Sequence, residues 1–103
     1  MNLKFKYRLP YGRQRLLNDW IKALRSGKYK QGRFFLCQPY PGEGFKYCAL
    51  GVLGEVATDF AWGYAYDICS EFLKIPFPIV SNQNDTAKLT FTQIANWLER
   101  DYL

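Results

Sequence analysis

Histidine is absent from this 103-residue chain. The commonest general acid or base and the commonest neutral metal ligand in proteins are therefore both missing. The carboxylates show no spacing that indicates an acid/base dyad, and no histidine is present to activate a cysteine as a nucleophile. We therefore expect a protein that is not an enzyme and that carries no metal and no cofactor.

Long apolar segments are also missing. No apolar run reaches the length of a membrane span, and the alternating apolar and polar residues 1–8 contain no signal-peptide core. The sequence has three cysteines, an odd number, at positions 37, 48 and 69. These features favour a reducing, cytoplasmic setting in which all three thiols are free and mostly buried.

Acidic residues are few. There are nine of them against 14 lysines and arginines, which gives a net charge of +5. Six of the 14 basic residues lie between Lys22 and Lys46, where Glu43 is the only acid. This local excess favours an anionic partner, such as a nucleotide, a nucleic acid or an acidic protein face. A solvated basic surface that aids solubility accounts for the same pattern equally well.

Aromatic residues, by contrast, are abundant, at 18% of the chain. Large rings bury much apolar area per residue, so a chain of this length can form a core without disulfides. We expect residues 1–103 to form a single domain. Rings left on the surface of so small a domain favour a homodimer.

Hydrophobic periodicity predicts an α+β fold with three or four helices packed on a short antiparallel sheet. The predicted helices cover residues 13–25, 49–57, 65–73 and a segment after Thr90, and the predicted strands cover 3–7, 33–37 and 45–48. Residues 75–80 are predicted to be extended, and 81–85 to form a polar loop. Thr90 and Gln93 match a capping box, and Gly27 matches a left-handed C-terminal cap. The first and last helices are expected to bury Leu17, Trp20, Ile21, Leu24, Ile94 and Leu98.

A basic segment with one glycine precedes the second predicted helix. Its candidate ligand-binding residues are Lys28, Lys30, Gln31, Gly32 and Arg33. Cations and backbone N–H groups of this kind hold phosphate, and the following helix N-terminus would add its dipole. The alternative is a solvated loop in which Gly32 supplies a positive φ, since the spacing is not that of a Walker loop.

Three further sets of residues are candidates for the same ligand. Tyr47 begins the second helical motif, in which Gly51 and Gly54 are tolerable if another backbone or a ligand approaches closely. Aromatic rings occur at positions 62, 64 and 66, and Trp62 and Tyr64 are the main candidates among them. Such rings are suited to stack on a base or to cover the core. Asn84 and Asp85 are suited to bind a ribose or base edge, or to bond their own turn.

Three separated motifs resemble those of a widespread group of small uncharacterised proteins from tailed phages and prophages. They are a Lys-Gln-Gly segment at 30–32, a Cys-x-Leu-Gly-Val-Leu motif at 48–53, and an Asn-Asp loop at 84–85 before a helix with Phe91 and Ile94-Ala95. The resemblance covers Trp20 to Leu98. It implies a phage context, and hence the host cytoplasm, but no particular activity. Ala49 stands where many members have a second cysteine, which argues against a cysteine-pair metal site.

Taken together, these features predict a non-enzymatic phage accessory protein that counters host defence. It would bind and sequester an anionic, nucleotide-derived small molecule between the 28–33 segment and the N-terminal end of the second helix. One alternative is a protein–protein inhibitor whose basic, aromatic face docks on a host or defence protein. Another is a nucleic-acid-binding protein, which predicts a steep salt dependence.

Overall fold

The computed structural model of the protein describes residues 12–58 and 64–103. The described residues form five helices and three strands, which confirms the predicted α+β class. The helices are α1 (Arg13–Arg25), α2 (Ala49–Thr58), α3 (Ala65–Asp67), α4 (Phe77–Asp85) and α5 (Phe91–Asp101), and the strands are β1 (Lys30–Gln31), β2 (Cys37–Tyr40) and β3 (Gly44–Tyr47). The strand predicted at 3–7 lies outside the described residues.

The helices α1 and α5 form where the apolar spacing predicts them. All six core residues predicted for these two helices are buried. Gly27 follows α1 with a φ of +77°, the left-handed conformation expected after a helix. In α5 the Thr90 hydroxyl accepts from the Gln93 N–H at 3.1 Å, and the Gln93 side chain accepts from the Thr90 N–H at 2.9 Å. The predicted capping box is therefore confirmed.

One hydrophobic cluster includes buried residues from all five helices. At its centre, Trp20 of α1 is fully buried, and its indole N–H donates to the carbonyl of Ala49 at 2.9 Å. This bond satisfies the ring's only polar group and fixes the start of α2 against α1. None of the helices within residues 12–58 and 64–103 is long and apolar enough to cross a bilayer.

The sheet has the strand order β1-β3-β2 and is mixed, where the sequence predicted it to be antiparallel throughout. The strands β2 and β3 form the predicted antiparallel hairpin, with Cys37 opposite Tyr47, whereas β1 pairs in parallel with β3. The strand predicted at 33–37 begins only at Cys37, because Phe34 has a φ of +74° and interrupts the extended backbone. The strand β1 was not predicted, since two residues carry no periodicity.

The prediction of an extended segment followed by a loop over residues 75–85 is wrong. Most of this stretch is α4, and Pro78 stands in its first turn, where a proline removes no helical hydrogen bond. Only Val80 and Asn84 of α4 are buried. These two residues are four apart and share one face of the helix.

The helix predicted over 65–73 is present, but it widens after its first turn. The helix α3 continues as a π-helical stretch over Ile68–Phe72, closed by a bond from the Leu73 N–H to the Ile68 carbonyl at 2.9 Å. Cys69 lies in this stretch, fully buried, and its thiol donates to the Ile75 carbonyl at 3.1 Å. All three cysteines are free thiols, as predicted, with Cys37 the least buried.

Candidate functional site

A solvent-open cleft of about 330 Å³ lies beside the parallel pair of strands. We call it the tyrosine cleft. It is lined by Lys28, Tyr29, Lys30, Glu43, Phe45, Tyr47 and Glu55. The cleft therefore combines three aromatic rings with two ammonium groups and two carboxylates.

The backbone pairing brings the segments that carry these side chains together. Because side chains alternate along a strand, Phe45 and Tyr47 of β3 share one face, and Lys46 points to the other. The parallel register places Lys30 of β1 beside Lys46 and Gln31 beside Tyr47. Because register partners share a face, the Lys30 side chain leaves β1 on the Lys46 side, and its Nζ donates to the carbonyl of Glu43, another lining residue, at 3.5 Å.

The two tyrosines of the cleft are in contact. The rings of Tyr29 and Tyr47 pack edge to face, with their centroids 5.2 Å apart. Burial raises the pKa of Tyr47 to about 12, and the negative charge of Glu55 and a hydrogen bond with Cys37 act in the same direction. The pKa of the Cys37 thiol is also raised, first by burial and then by Glu55. Both groups are therefore protonated at neutral pH.

The charges around the cleft are partly paired. The ammonium of Lys46 lies 3.6 Å from a carboxylate oxygen of Glu43 and 4.2 Å from the centre of the Tyr40 ring. Lys28 reaches over the ring of Tyr29, with its Nζ 5.4 Å from the centroid. Glu43 therefore has a cationic partner outside the lining, and the lining itself contributes two lysines and two carboxylates.

A second cluster, which we call the amide network, lies on the inner side of the same segment. It consists of Gln31, Gly32, Asn84 and Asp85. Asn84 is 1% exposed, and its Oδ1 accepts from the side chain of Gln31 at 2.8 Å and from the N–H of Ala49 at 3.2 Å. Its Nδ2 donates to the carbonyl of Gly32 at 3.0 Å and to Asp85 at 2.7 Å.

The side chain of Gln31 extends this network to α5. Its Nε2 donates to the carbonyl of Leu89 at 2.8 Å, and its Oε1 accepts from the N–H of Phe91 at 3.2 Å. Asn84 Oδ1 thus accepts a hydrogen bond at the start of α2, and Gln31 Oε1 accepts one at the start of α5. Both bonds satisfy N–H groups that have no acceptor within their own helix. The network joins the three motifs at 30–32, 48–53 and 84–85.

Gly51 allows α2 to approach this region. A Cβ at Gly51 would overlap the carbonyl oxygen of Leu36 and would lie 2.7 Å from its carbonyl carbon. The N–H of Cys48 also donates to the Leu36 carbonyl, at 3.3 Å. Of the two alternatives considered for the glycine face of α2, another backbone or a ligand, it is a backbone that approaches Gly51.

The predicted ligand-binding residues fall into separate groups. Lys28, Lys30 and Tyr47 line the cleft, whereas Gln31, Gly32, Asn84 and Asp85 form the amide network. Arg33 donates from Nη2 to the Lys88 carbonyl at 3.3 Å, and Tyr64 packs half-buried against the core. Trp62 lies outside the described residues.

The predicted position of the ligand changes as a result. The N–H of Ala49 is already bonded to Asn84, and both N–H groups of the Gln31 amide are used within the protein. The N-terminus of α2 therefore offers a phosphate fewer donors than predicted. We therefore place the candidate site in the tyrosine cleft, which is lined by Lys30 and not by Gln31.

Four residues of the cleft were not among the predicted site residues: Tyr29, Glu43, Phe45 and Glu55. Strand alternation with Tyr47 would have identified Phe45. Glu55 is the only charged residue of α2, and a lone carboxylate in an apolar helix is a signal that sequence reasoning can use. No group of three or more metal-ligating side chains occurs within residues 12–58 and 64–103.

A family model described as a domain of unknown function, DUF8296, matches residues 12–80. The chain belongs to this family. The DUF8296 segment contains every residue that lines the tyrosine cleft, whereas Asn84 and Asp85 of the amide network lie beyond it. Comparisons with curated proteins and with solved structures found no match.

Proposed function

We propose that this protein is a non-enzymatic binding protein whose tyrosine cleft takes a small, nucleotide-like anion. The observation that carries the proposal is the meeting of two ammonium groups and three aromatic rings around one cleft of about 330 Å³. Aromatic rings stack on the face of any nucleobase, and the ammonium groups of lysines neutralise phosphate. The combination suits a molecule that has a planar ring and a negative charge.

Each part of such a ligand has a complementary group in the cleft. Lys28 and Lys30 neutralise the phosphate, and Tyr29 and Phe45 contact the base. Glu55 accepts hydrogen bonds from ribose hydroxyls or from an exocyclic amino group, since an ionised carboxylate is an acceptor only. The carboxylate thus favours a ligand that has donors beside its anion over a bare inorganic phosphate.

The size of the cleft limits what it can enclose. Its volume of about 330 Å³ lies at the lower end of the range of roughly 300–1,000 Å³ found for small-molecule sites. The proposed ligand is therefore one nucleotide unit, either free or as part of a larger molecule whose remainder extends into solvent.

The protonation state of the two reactive groups beside the cleft supports binding without catalysis. The two reactive side chains beside the cleft, Cys37 and Tyr47, both have raised pKa values and so remain protonated at neutral pH. A thiol acts as a nucleophile only as its thiolate. In line with the resemblance to phage proteins, we propose that the role of the protein is to sequester a nucleotide-derived signal of host defence.

Isothermal titration calorimetry with a panel of linear and cyclic mononucleotides tests this proposal. The double variant Lys28→Ala/Lys30→Ala should bind the best nucleotide at least tenfold more weakly, because each charge-assisted hydrogen bond contributes about 1.5–3 kcal/mol. The control Lys22→Ala/Lys74→Ala removes the same charge from two exposed lysines that do not line the cleft, and should retain the affinity.

Two results would count against nucleotide binding. The first is an equal loss of affinity in both double variants, which would indicate a general effect of net charge. The second is the absence of any heat with the wild-type protein across the whole panel. Tight binding of single-stranded nucleic acid with a steep salt dependence would instead favour the nucleic-acid alternative.

A further inference from the structure

Two neighbouring phenylalanines project from the segment that precedes β2. Phe34 is 70% exposed and Phe35 is 55% exposed, although phenylalanine is among the residues most often buried in proteins. Neither residue lines the tyrosine cleft. The two exposed rings therefore lie outside the cleft, and we call them together the Phe34 surface.

The backbone holds Phe34 in this position at a cost. Its φ of +74° lies in the left-handed region, which bulky side chains rarely occupy. The N–H of Phe34 donates to Asp85 at 2.9 Å, and the same carboxylate oxygen accepts from Asn84 at 2.7 Å. The amide network thus fixes an unfavourable conformation whose visible result is an exposed ring. Such conformations concentrate at functional sites.

The charge beside the rings is positive. Arg33 precedes Phe34 in the chain, and its guanidinium bonds to the carbonyl of Lys88, whose side chain is exposed. The nearby carboxylate of Asp85 accepts two hydrogen bonds from neutral groups and keeps its formal charge, so Arg33, Lys88 and Asp85 (two positive, one negative) give a net charge of +1. An apolar patch beside cations is complementary to an apolar patch beside carboxylates.

We infer that the Phe34 surface docks an acidic segment of a partner protein whose leucine-type side chains cover the two rings. A second copy of this chain fits less well. Each copy has a net charge of +5, and a symmetric contact would bring the two Arg33–Lys88 pairs together. Juxtaposed like charges oppose association.

Three labelled peptides of equal length test the inference by fluorescence anisotropy. One combines glutamates with leucines, the second has lysine in place of glutamate, and the third has serine in place of leucine. Only the first should bind, and added salt should weaken it. The Phe34→Gly/Phe35→Ala variant should bind it at least tenfold more weakly. Ile79→Ala, which removes an apolar side chain that is 43% exposed on α4, should bind it like the wild type.

The single variant Phe34→Gly separates a docking role from a structural one. Glycine adopts a positive φ without a steric penalty, so the thermal midpoint should stay the same or rise while peptide binding falls. A lowered midpoint would overturn the inference, because it would mean that the ring stabilises the fold. Failure of the glutamate–leucine peptide to bind, or equal binding of all three peptides, would overturn it as well.

Sedimentation of the wild type and of Phe34→Gly completes the test. If a wild-type dimer dissociates in the variant, a second copy covers the surface and the inference is wrong. The Lys28→Ala/Lys30→Ala variant should still bind the peptide. The experiments can therefore contradict the docking proposal and the ligand-binding proposal independently of each other.

Discussion

The strand β1 contributes neighbouring side chains to two regions of opposite character. Gln31 enters the amide network, where its polar atoms are all bonded to other parts of the protein. Lys30, one residue earlier, is exposed and lines the tyrosine cleft. The comparison shows that one short segment both holds the fold together and contributes to the cleft that we propose as the ligand site. Substitutions on its two faces should therefore act on different properties, stability and binding.

The largest effect on stability is expected where α2 meets the backbone of Leu36. Gly51→Ala places a Cβ against a carbonyl group that is part of the main chain and has little freedom to move. Overpacking typically costs about 1–3 kcal/mol, and we expect this case to exceed about 3 kcal/mol in urea unfolding. Gly12→Ala, whose Cβ meets nothing within 4 Å, should cost less than about 1 kcal/mol. Similar losses in the two variants would contradict the close approach.

Asn84→Ala should be the next most destabilising change. It removes the acceptor of the Ala49 backbone N–H and of one N–H of the Gln31 side chain. Each buried unsatisfied group costs about 1–3 kcal/mol. We expect a loss of about 3 kcal/mol. Asn82→Ala is the control, because Asn82 is exposed on the same helix, and it should remain within about 0.5 kcal/mol of the wild type. An equal loss of stability in the two variants would mean that the amide network does not stabilise the fold.

The stability of the folded protein should depend on alkaline pH through Tyr47 of the cleft. The folded protein raises the pKa of Tyr47 from 10.0 to about 12, so the unfolded chain loses this proton first. The free energy of unfolding should therefore fall as the pH rises from 10 to 12, because the folded state binds more protons in that window. In Tyr47→Phe the fall should be smaller. It should not vanish, since burial also raises the pKa of Cys69 to about 12. An unchanged pH profile would contradict this assignment.

The smallest effect is expected at the edge of the network, where α5 begins. Thr90→Ala removes the hydroxyl that caps the Gln93 N–H and should cost about 1 kcal/mol. Thr92→Ala, at the exposed second residue of the helix, is the matched control and should change stability by less than about 0.5 kcal/mol. A loss at Thr90 as large as at Asn84 would show that the cap also supports the network.

Sequence reasoning recovered the helices whose apolar residues recur in a wide stripe. The helices α1 and α5 each bury at least four residues at helical spacing, so their cores, both ends of α1 and the start of α5 were predicted correctly. The helix α4 was missed because it buries only Val80 and Asn84. A buried asparagine in a polar stretch is indistinguishable in sequence from a loop residue, since its burial depends on partners far along the chain.

The candidate site was predicted only in part for a related reason. Lys28, Lys30 and Tyr47 carry signals that are local in the sequence, namely charge and an aromatic ring. The separation of Lys30 from Gln31 onto opposite sides depends on the two-residue strand β1, which has no periodic signal. Glu55 joins the cleft only through the docking of α2, a tertiary contact that no local pattern reports.

The long reach of the amide network has a kinetic consequence. Its bonds to Gly32 and from Phe91 connect residues that are 52 and 60 positions apart. Closing such loops costs entropy, which is recovered only when both ends are already ordered. These bonds should therefore form after the main barrier to folding. Substitutions such as Asn84→Ala should accelerate unfolding and leave the refolding rate nearly unchanged, so the side-chain amides of Gln31 and Asn84 set how long each molecule remains native.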